Sequence, residues 1–372
     1  MQFGIDARIV GKMMDGAGRV AQCLVDQLQN FPEHRFIVFH TEHLRSTPAS
    51  ANVEYRLLST PTARISNLLL TALRYNGANL DALWYPFFDL PIATSCPVAL
   101  VCHDLYFMTD RNFFAAHKRW GHPLIVAVAK NRMRRATTVI AVSRTVARQA
   151  RELAGISDDR IAVVYNPFHS SAAASHLRST AAQPVNDGGY ILYVGNNRNH
   201  KNLRTLVSAF AQVRSACPDI RLVLAGRIEN QYADPRALFS EFGLSGAEAM
   251  HLGPVSDETL DALYRQALFV ALPSLYEGFG IPAVEASARG VPVACSEIDA
   301  FQEVLGSDGA LFLPPEDVDA WAEGMVALVQ NHAWRRDLVR RASEHASRFT
   351  NAAFAENTIR TLERTAASAG HT

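Results

Sequence analysis

The stretch "LFVALPSLYEGFGIPAVEASARGVPVACS", residues 268–296, decides the fold. It opens on an unbroken apolar run, 268–274, and closes on another, 291–296. Runs of this length without polar alternation fit strands buried on both faces of a parallel sheet. The residues between read as a turn and a helix. Pro282 suits the first helical position, where its fixed φ helps and its missing N–H costs nothing. The helix then runs to about Arg289, Gly290 fits the position just beyond, and Pro292 blocks continuation. Strand, turn, helix and strand in this order make one parallel βαβ unit.

The same alternation extends outward in both directions. Ahead lie "YILYVG" (190–195), "IRLVLAG" (220–226) and "AMHLG" (249–253), with helical patterns such as "NLRTLVSAFAQVRSA" (202–216) between them; behind lies "GALFLP" (309–314). An earlier array holds "QFGID" (2–6), "RFIVFH" (35–40), "ALWYP" (82–86), "PVALVCH" (97–103), "TTVIAVS" (137–143) and "IAVVYN" (161–166). Between the arrays, "FHSSAAASHLRSTAAQPVNDGG" (168–189) has no periodicity and reads as a linker. The fold class is therefore α/β, two Rossmann-like doubly wound domains facing a cleft. Ligands of such sheets lie outside the carboxyl ends of the strands, so a shared cleft is the expected site.

Bulk properties narrow the function. At 372 residues the chain has room for two to three domains of about 150 residues each. Its 36 basic residues balance 36 acidic ones, so nothing advertises nucleic acid. The halves differ, with 19 Lys and Arg against 13 Asp and Glu in residues 1–170, and 17 against 23 after them. A basic first half points to an anionic partner or membrane surface. Five scattered cysteines without C-x-x-C imply reduced thiols rather than disulfides or a zinc site. "MQFGIDARIV" does not read as a signal peptide, and no apolar run approaches the ~20 residues of a spanning helix, so the expectation is a cytoplasmic protein.

Glu277 and Glu285 stand eight apart around a glycine-aromatic-glycine turn. Gly278, Phe279, Gly280 and Ile281 lead into a helix start, where N–H groups and the dipole favour an anion and glycine admits phosphate to the backbone. A carboxylate accepts hydrogen bonds from a diol, so two of them flanking a phosphate clamp suit a nucleotide-diphosphate sugar. Spacing alone leaves open that Glu285 only complements the helix dipole and Glu277 is a solvated loop residue. Arg198 and Lys201 in "YVGNNRNHKNL" are cations in a strand-end loop, placed to neutralise a departing diphosphate or simply to form a solvated basic loop. His103 ends a buried strand at its carboxyl edge, as a site residue or a satisfied core histidine. Ser143 reads as a helix N-cap, and Asn166 ends the sixth strand. The one D-x-D, Asp317-Val318-Asp319, reads as a helix start, and no cluster has metal-ligand spacing. "GAGRVA" (16–21) fits the dinucleotide fingerprint in letters, but Asp6 lies ten residues before Gly16. The reading preferred for it is a long glycine loop.

"EGFGIPAVE" (277–285) resembles the E-x7-E segment of the retaining glycosyltransferases of family four, which have the two-Rossmann GT-B fold. The resemblance covers nearly the whole chain, taking in the early glycine loop, His103-Asp104, "YVG…HKNL" and "HLGPVSDETLDALYRQA" (251–267). It implies that Glu277 contacts the donor sugar and Glu285 the ribose hydroxyls, with residues 278–281 at the donor. It implies that Lys201 and an arginine hold the donor phosphates; the usual arginine places hold Asn196 and His200 here, so the second cation is Arg198 or another residue. It puts His103 beside the reacting sugar, and Gly16, Gly18 and Arg19 near donor phosphate and acceptor. Domains are expected at 1–168 for the acceptor and 190–350 for the nucleotide sugar, a linker at 169–189, and a final segment, 351–372, crossing back to the first. The implied enzyme is metal-independent and cofactor-free, resembling bacterial polysaccharide mannosyltransferases that would use GDP-mannose and a glycan or polyprenyl-diphosphate-linked acceptor. The rivals are a UDP-sugar 2-epimerase of the same fold, an NAD-dependent nucleotide-sugar oxidoreductase resting on "GAGRVA", and a non-catalytic sugar-binding protein. Lastly, residues 113–136 combine Phe113, Phe114 and Trp120 with Lys118, Arg119, Lys130, Arg132, Arg134 and Arg135. This mixture suits peripheral contact with an anionic membrane, or else a core helix with a solvated basic end.

Overall fold

The computed structural model describes residues 1–11, 16–58, 65–86, 88, 94–110, 121–168 and 189–368. Two compact units result, one from residues 1–169 and 349–372, the other from 170–348.

The first unit holds β1 (Gln2–Asp6), β2 (Arg35–His40), β3 (Val53–Leu57), β4 (Ala82–Tyr85), β5 (Val98–Cys102), β6 (Thr138–Ala141) and β7 (Ile161–Val163). They pair in parallel in the order β3-β2-β1-β4-β5-β6-β7. Its helices are α1 (Gly16–Gln27), α2 (Ile65–Asn76), α3 (Tyr106–Thr109), α4 (His122–Arg135) and α5 (Arg144–Ala154). The strands of the middle are buried end to end, as the unbroken apolar runs require. β3 is the exception. It is an edge strand, "VEYRL", with no buried residue, so burial could not write an apolar run into it and the sequence reading passes over it. Ser143 caps α5, its Oγ accepting from the Val146 N–H at 3.0 Å.

The second unit holds β8 (Tyr190–Val194), β9 (Arg221–Ala225), β10 (Ala249–His251), β11 (Phe269–Leu272), β12 (Val293–Ser296) and β13 (Leu311–Leu313), all parallel, in the order β10-β9-β8-β11-β12-β13. Its helices are α6 (Leu203–Ala216), α7 (Pro235–Glu241), α8 (Asp257–Gln266), α9 (Ile281–Ala288), α10 (Asp299–Leu305), α11 (Val318–Gln330) and α12 (His332–Ala346). Side-chain alternation sends Ile191, Tyr193, Leu222, Leu224, Phe269 and Ala271 into one core with α6, α7 and α11. Tyr190 points the other way and donates to the Leu263 carbonyl of α8 at 2.6 Å. Helices thus cover both faces, the doubly wound arrangement. Asp317 caps α11 through the Ala320 N–H, which makes Asp317-Val318-Asp319 a helix start in fact.

Numbered within itself, the second sheet runs 3-2-1-4-5-6, and the first runs the same way with a seventh strand added at the end. That order reverses between its first and fourth strands, and the crevice outside the carboxyl ends at the reversal is where such sheets bind ligands. In the second unit the reversal lies between β8 and β11. The chain then returns to the first unit as α13 (Asn351–Ser368), which packs on α1, β4 and β5. Thr365 Oγ1 donates to Thr138 Oγ1 at 2.8 Å, and His34 meets Glu363 at 3.0 Å. The linker residues 169–188 lie outside the described residues.

Candidate active site

β8 and β11 feed the two loops that meet at the reversal. After β11, Ser274 is enclosed and its Oγ donates to Glu277 Oε1 at 2.7 Å. After β8, a single turn of 3-10 helix, Asn199–Lys201, carries Lys201 forward, and its Nζ donates to Glu277 Oε1 at 2.7 Å and Oε2 at 2.9 Å. The loops are sewn together by backbone as well, the Leu275 N–H donating to the His200 carbonyl at 2.7 Å. Both side chains are mostly shielded, at 17% and 12% exposure, so the pair is held in lower dielectric than a surface bridge. Sequence reasoning gave Lys201 and Glu277 separate duties; the fold places them in direct contact. Asn202, next in line, takes φ +54°, a conformation asparagine tolerates, and anchors α6 by donating to the Pro315 carbonyl at 2.7 Å.

The turn after Glu277 behaves as its glycines require. Gly280 has φ +90°, and a Cβ there would come within 2.9 Å of the Phe301 ring. As the N-cap of α9 it supplies no side-chain cap, and Pro282 follows within the first turn. N–H groups and a positive dipole end therefore face the same region as Lys201 and Glu277's loop, with buried Phe279 holding the turn from beneath. Glu285 lies in the second turn of α9, not the first as the proline-based start implied, because the helix begins at Ile281. It is almost fully enclosed, and its Oε2 accepts from Tyr264 Oη at 2.9 Å.

Three strands of this sheet, β8, β9 and β10, are each followed closely by a glycine: Gly195, Gly226 and Gly253. The Gly195 N–H donates to the Ala225 carbonyl at 3.0 Å and that of Gly226 to the Gly253 carbonyl at 2.9 Å. A Cβ on Gly226 would stand 1.9 Å from the Gly195 oxygen. At Gly226 the carboxyl edge has room for bare backbone alone.

Arg198 meets a different acid. Its Nε donates to Glu229 Oε1 at 2.9 Å, and Asn196 Nδ2 donates to the same oxygen at 3.1 Å. Asn197 completes the tie, accepting from the Glu229 N–H at 2.7 Å and donating to the Ala233 carbonyl at 2.9 Å. Glu229 was missed by sequence reasoning; the available signal was an acid in "LAGRIEN", a strand-end loop like those already singled out. His200 supplies no charge. Burial first, then Lys201 and Arg198, lowers its imidazole from the usual value to about 3.

In the first unit, His103 follows β5 directly at the carboxyl edge, half-buried. "GAGRVA" is corrected by the structure. Gly16, Gly18 and Arg19 form the opening of α1 rather than a loop, Gly18 being buried. β1 ends ten residues earlier, at Asp6, so the dinucleotide fingerprint's strand-to-glycine junction is absent and that reading falls. Asp6 instead accepts from Arg8 and Tyr75 in a buried cluster. Of the residues read as a membrane contact, Phe113, Phe114, Lys118, Arg119 and Trp120 lie outside the described residues.

Two family models match successive stretches: "Glycosyltransferase Family 4" over residues 14–171, and "Glycosyl transferases group 1" over 179–345. The chain belongs to the family-four glycosyltransferases. Among curated relatives, it is 36% identical over 166 residues to O-antigen chain mannosyltransferase B of Escherichia coli, a match covering 44% of this chain and 42% of that one. It is 26% identical over 275 residues to the E. coli serotype-specific mannosyltransferase WbdA, covering 71% of this chain and 32% of the relative. The matched stretches thus span less than half the length of these relatives. Among solved structures, sucrose-phosphate synthase from Thermosynechococcus elongatus superimposes with TM-score 0.79 at 20% identity, covering 99% of this chain and all of that one. HepE of Anabaena in complex with UDP-glucose does so with TM-score 0.73 at 18% identity, covering 98% of this chain and 100% of that one. These likenesses show the GT-B fold.

Proposed function

We propose that this family-four chain transfers a hexose, mannose above all, from a nucleotide-diphosphate sugar to a glycan or polyprenyl-diphosphate-linked acceptor in cell-surface polysaccharide synthesis. The observation that carries the reading is the Lys201–Glu277 contact at the strand-order reversal, beside the uncapped start of α9. Breaking a sugar–phosphate bond leaves negative charge on the diphosphate and positive charge at the anomeric carbon. An ammonium has three donors, so Lys201 can keep one on Glu277 while giving another to a phosphate oxygen. The N–H groups of the α9 start supply further donors, preorganised and without cost at the moment of reaction. Arg198 is the second cation in this reading, released from or shared with Glu229. Glu277, oriented by Ser274 and Lys201, faces the donor sugar, and Glu285 takes the ribose hydroxyls. His103 belongs to the acceptor side.

Charge neutralisation by protein donors makes the proposed reaction metal-independent, and the family resemblance supports retention of anomeric configuration. Activity should persist in excess EDTA, and the product anomer, read by NMR at early times, should match the donor's. Mannose is favoured because both curated relatives are named mannosyltransferases. Thermal-shift titration against GDP-, UDP-, ADP- and dTDP-sugars tests the donor class: a ligand at 100 times its dissociation constant stabilises by about 2.7 kcal/mol. No shift with any of the four would overturn the reading.

The acceptor end of the reading includes a membrane. α4 exposes Leu124 (67%), Ile125 (39%) and Val128 (42%), and the spacing 124, 128, 132, 135 continues this stripe into Arg132 and Arg135. An apolar patch running into a basic one along a single helix suits docking on an anionic leaflet, where a lipid-linked acceptor would be presented.

A further inference from the structure

Glu285 is braced from behind. The Tyr264 phenol that donates to its Oε2 comes from the last turn of α8 and has no exposed surface. A buried phenol has to donate somewhere. The Pro282 carbonyl is 3.5 Å away against 2.9 Å for the carboxylate. The ring is itself clamped. Arg289 lays its guanidinium 5.0 Å from the ring centroid, and its Nε donates to Asp261 Oδ1 at 2.8 Å. From there Nη1 reaches the Glu285 backbone carbonyl at 3.0 Å. Asp261 also takes Arg265 Nε at 2.7 Å, so the anchor is fixed at both oxygens. Asp261, Arg289, Tyr264 and Glu285 therefore form one array across α8 and α9.

A glutamate has three side-chain torsions, the last broad and roughly two-fold, so an unbraced carboxylate samples many directions. Reading a vicinal diol needs one direction. An ionised carboxylate has about four lone-pair sites, so giving one to a phenol leaves capacity for sugar hydroxyls. We propose that Tyr264 is a positioning residue for donor recognition: by holding Glu285 Oε2, and held in turn by Arg289 and Asp261, it aims the carboxylate at the ribose hydroxyls of the nucleotide. The inference rests on the reading of Glu285 as the ribose contact and names what makes that contact selective.

The test isolates the hydroxyls. Calorimetric dissociation constants are measured on the full chain for GDP, UDP and ADP and for their 2′,3′-dideoxy analogues, and the ratio within a pair reports hydroxyl recognition. Tyr264→Phe removes one oxygen and should weaken the hydroxylated nucleotide that binds by about tenfold, leaving its dideoxy analogue unchanged, so the ratio collapses. A tyrosine that only packs would weaken both alike. Equal weakening, or an unchanged ratio, overturns the proposal. Glu285→Ala separates the two layers. If it loses the ratio while Tyr264→Phe keeps it, the ribose reading stands and the positioning role falls. If Glu285→Ala keeps the wild-type ratio, the ribose reading itself falls and takes the proposal with it, as would the absence of saturable binding by all three nucleotides. Should Tyr264→Phe not fold, Asp261→Asn loosens the guanidinium that clamps the ring and leaves the Tyr264 and Glu285 side chains in place, and an unchanged ratio there is equally fatal.

Discussion

In the proposed reaction Glu277 is the residue on which the chemistry turns, because it touches both Ser274 and Lys201 while heading the glycine turn. On that reading Glu277→Ala would remove a contact to the donor sugar and leave Lys201 misdirected. Transfer should fall by a hundredfold or more, about 3 kcal/mol of transition-state stabilisation, with the protein still folded by circular dichroism. Glu285→Ala should instead raise the donor KM and leave kcat nearly intact, since ribose contacts are alike in ground and transition states. Equal small effects from both would refute the division of labour. His200 gives a pH signature. Its folded value near 3 lies below the ordinary 6.5, so the unfolded chain binds the proton more readily. Stability from this group is complete above pH 6.5 and is lost as pH falls towards 3, at up to about 1.4 kcal/mol per pH unit. His200→Asn should flatten that acid limb in urea titrations at pH 6.5, 5 and 4, and an unchanged slope would contradict the assignment. Motif spacing exposes Lys201, Glu277 and Glu285 in the sequence. The pairings of Arg198 with Glu229 and of Glu285 with Tyr264 are not visible there: 31 residues separate Arg198 from Glu229, and 21 separate Tyr264 from Glu285. Only the sheet order brings such distant loops and helices together.

Among elements, the strands were the most legible, because burial on both faces writes a continuous apolar run into each. The quoted runs at 2–6 and 35–40 coincide with β1 and β2, and 268–274 contains β11. Half-exposed β3 left no such mark, and the glycines of "GAGRVA" suggested a loop where the chain forms the start of α1. Glycine is ambiguous in that way, serving flexibility in one place and close packing in another. The strand-end glycines are of the second sort. Gly226→Ala would drive a methyl into the Gly195 carbonyl at a φ of +146° that alanine avoids. Roughly 3 kcal/mol should be lost from the second unit, read as a lowered urea midpoint. A midpoint within error of the parent would mean that the strand ends can part without cost. α13 carries a parallel burden for the first unit. Phe354, Ile359 and Leu362 are enclosed against it, and each buried side chain of this size contributes about 1.5–3 kcal/mol. Ending the chain at residue 350 removes all three, a loss comparable to a domain's whole stability of about 5–15 kcal/mol. The truncated protein should lose the first unit's melting transition while the second's survives; two intact transitions would show that the helix is dispensable.

At the scale of the whole molecule, charge is balanced in total yet divided along the chain, 19 basic against 13 acidic residues up to 170 and the reverse bias beyond. Nucleic-acid binding gains nothing from a net charge of zero, but a local basic helix still acts over about 10 Å in 0.1 M salt. None of the described helices is long and apolar enough to cross a membrane. The proposed docking falls to α4. Its apolar residues Leu124 and Val128 would enter the headgroup boundary while Arg132 and Arg135, one and two turns on, meet anionic lipid at about 1 kcal/mol each. Arg134 Nε donates to the Ala154 carbonyl at 2.8 Å, and this residue is left unchanged in the test so that the contact is kept. In the proposed docking neither contribution alone would give firm attachment, and both together would give a reversible one that salt weakens. Co-sedimentation with liposomes should therefore need anionic lipid and fall between 0.1 and 0.5 M salt, as screening shortens from about 10 to about 4 Å. Arg132→Glu with Arg135→Glu should abolish sedimentation, and Leu124→Ser with Val128→Ser should reduce it at every salt concentration, since burial of apolar area is not screened. Donor hydrolysis in solution should be untouched in both variants. Equal recovery of the parent protein on neutral and anionic vesicles would leave α4 an ordinary solvated helix, and the acceptor would then have to come to the enzyme through water.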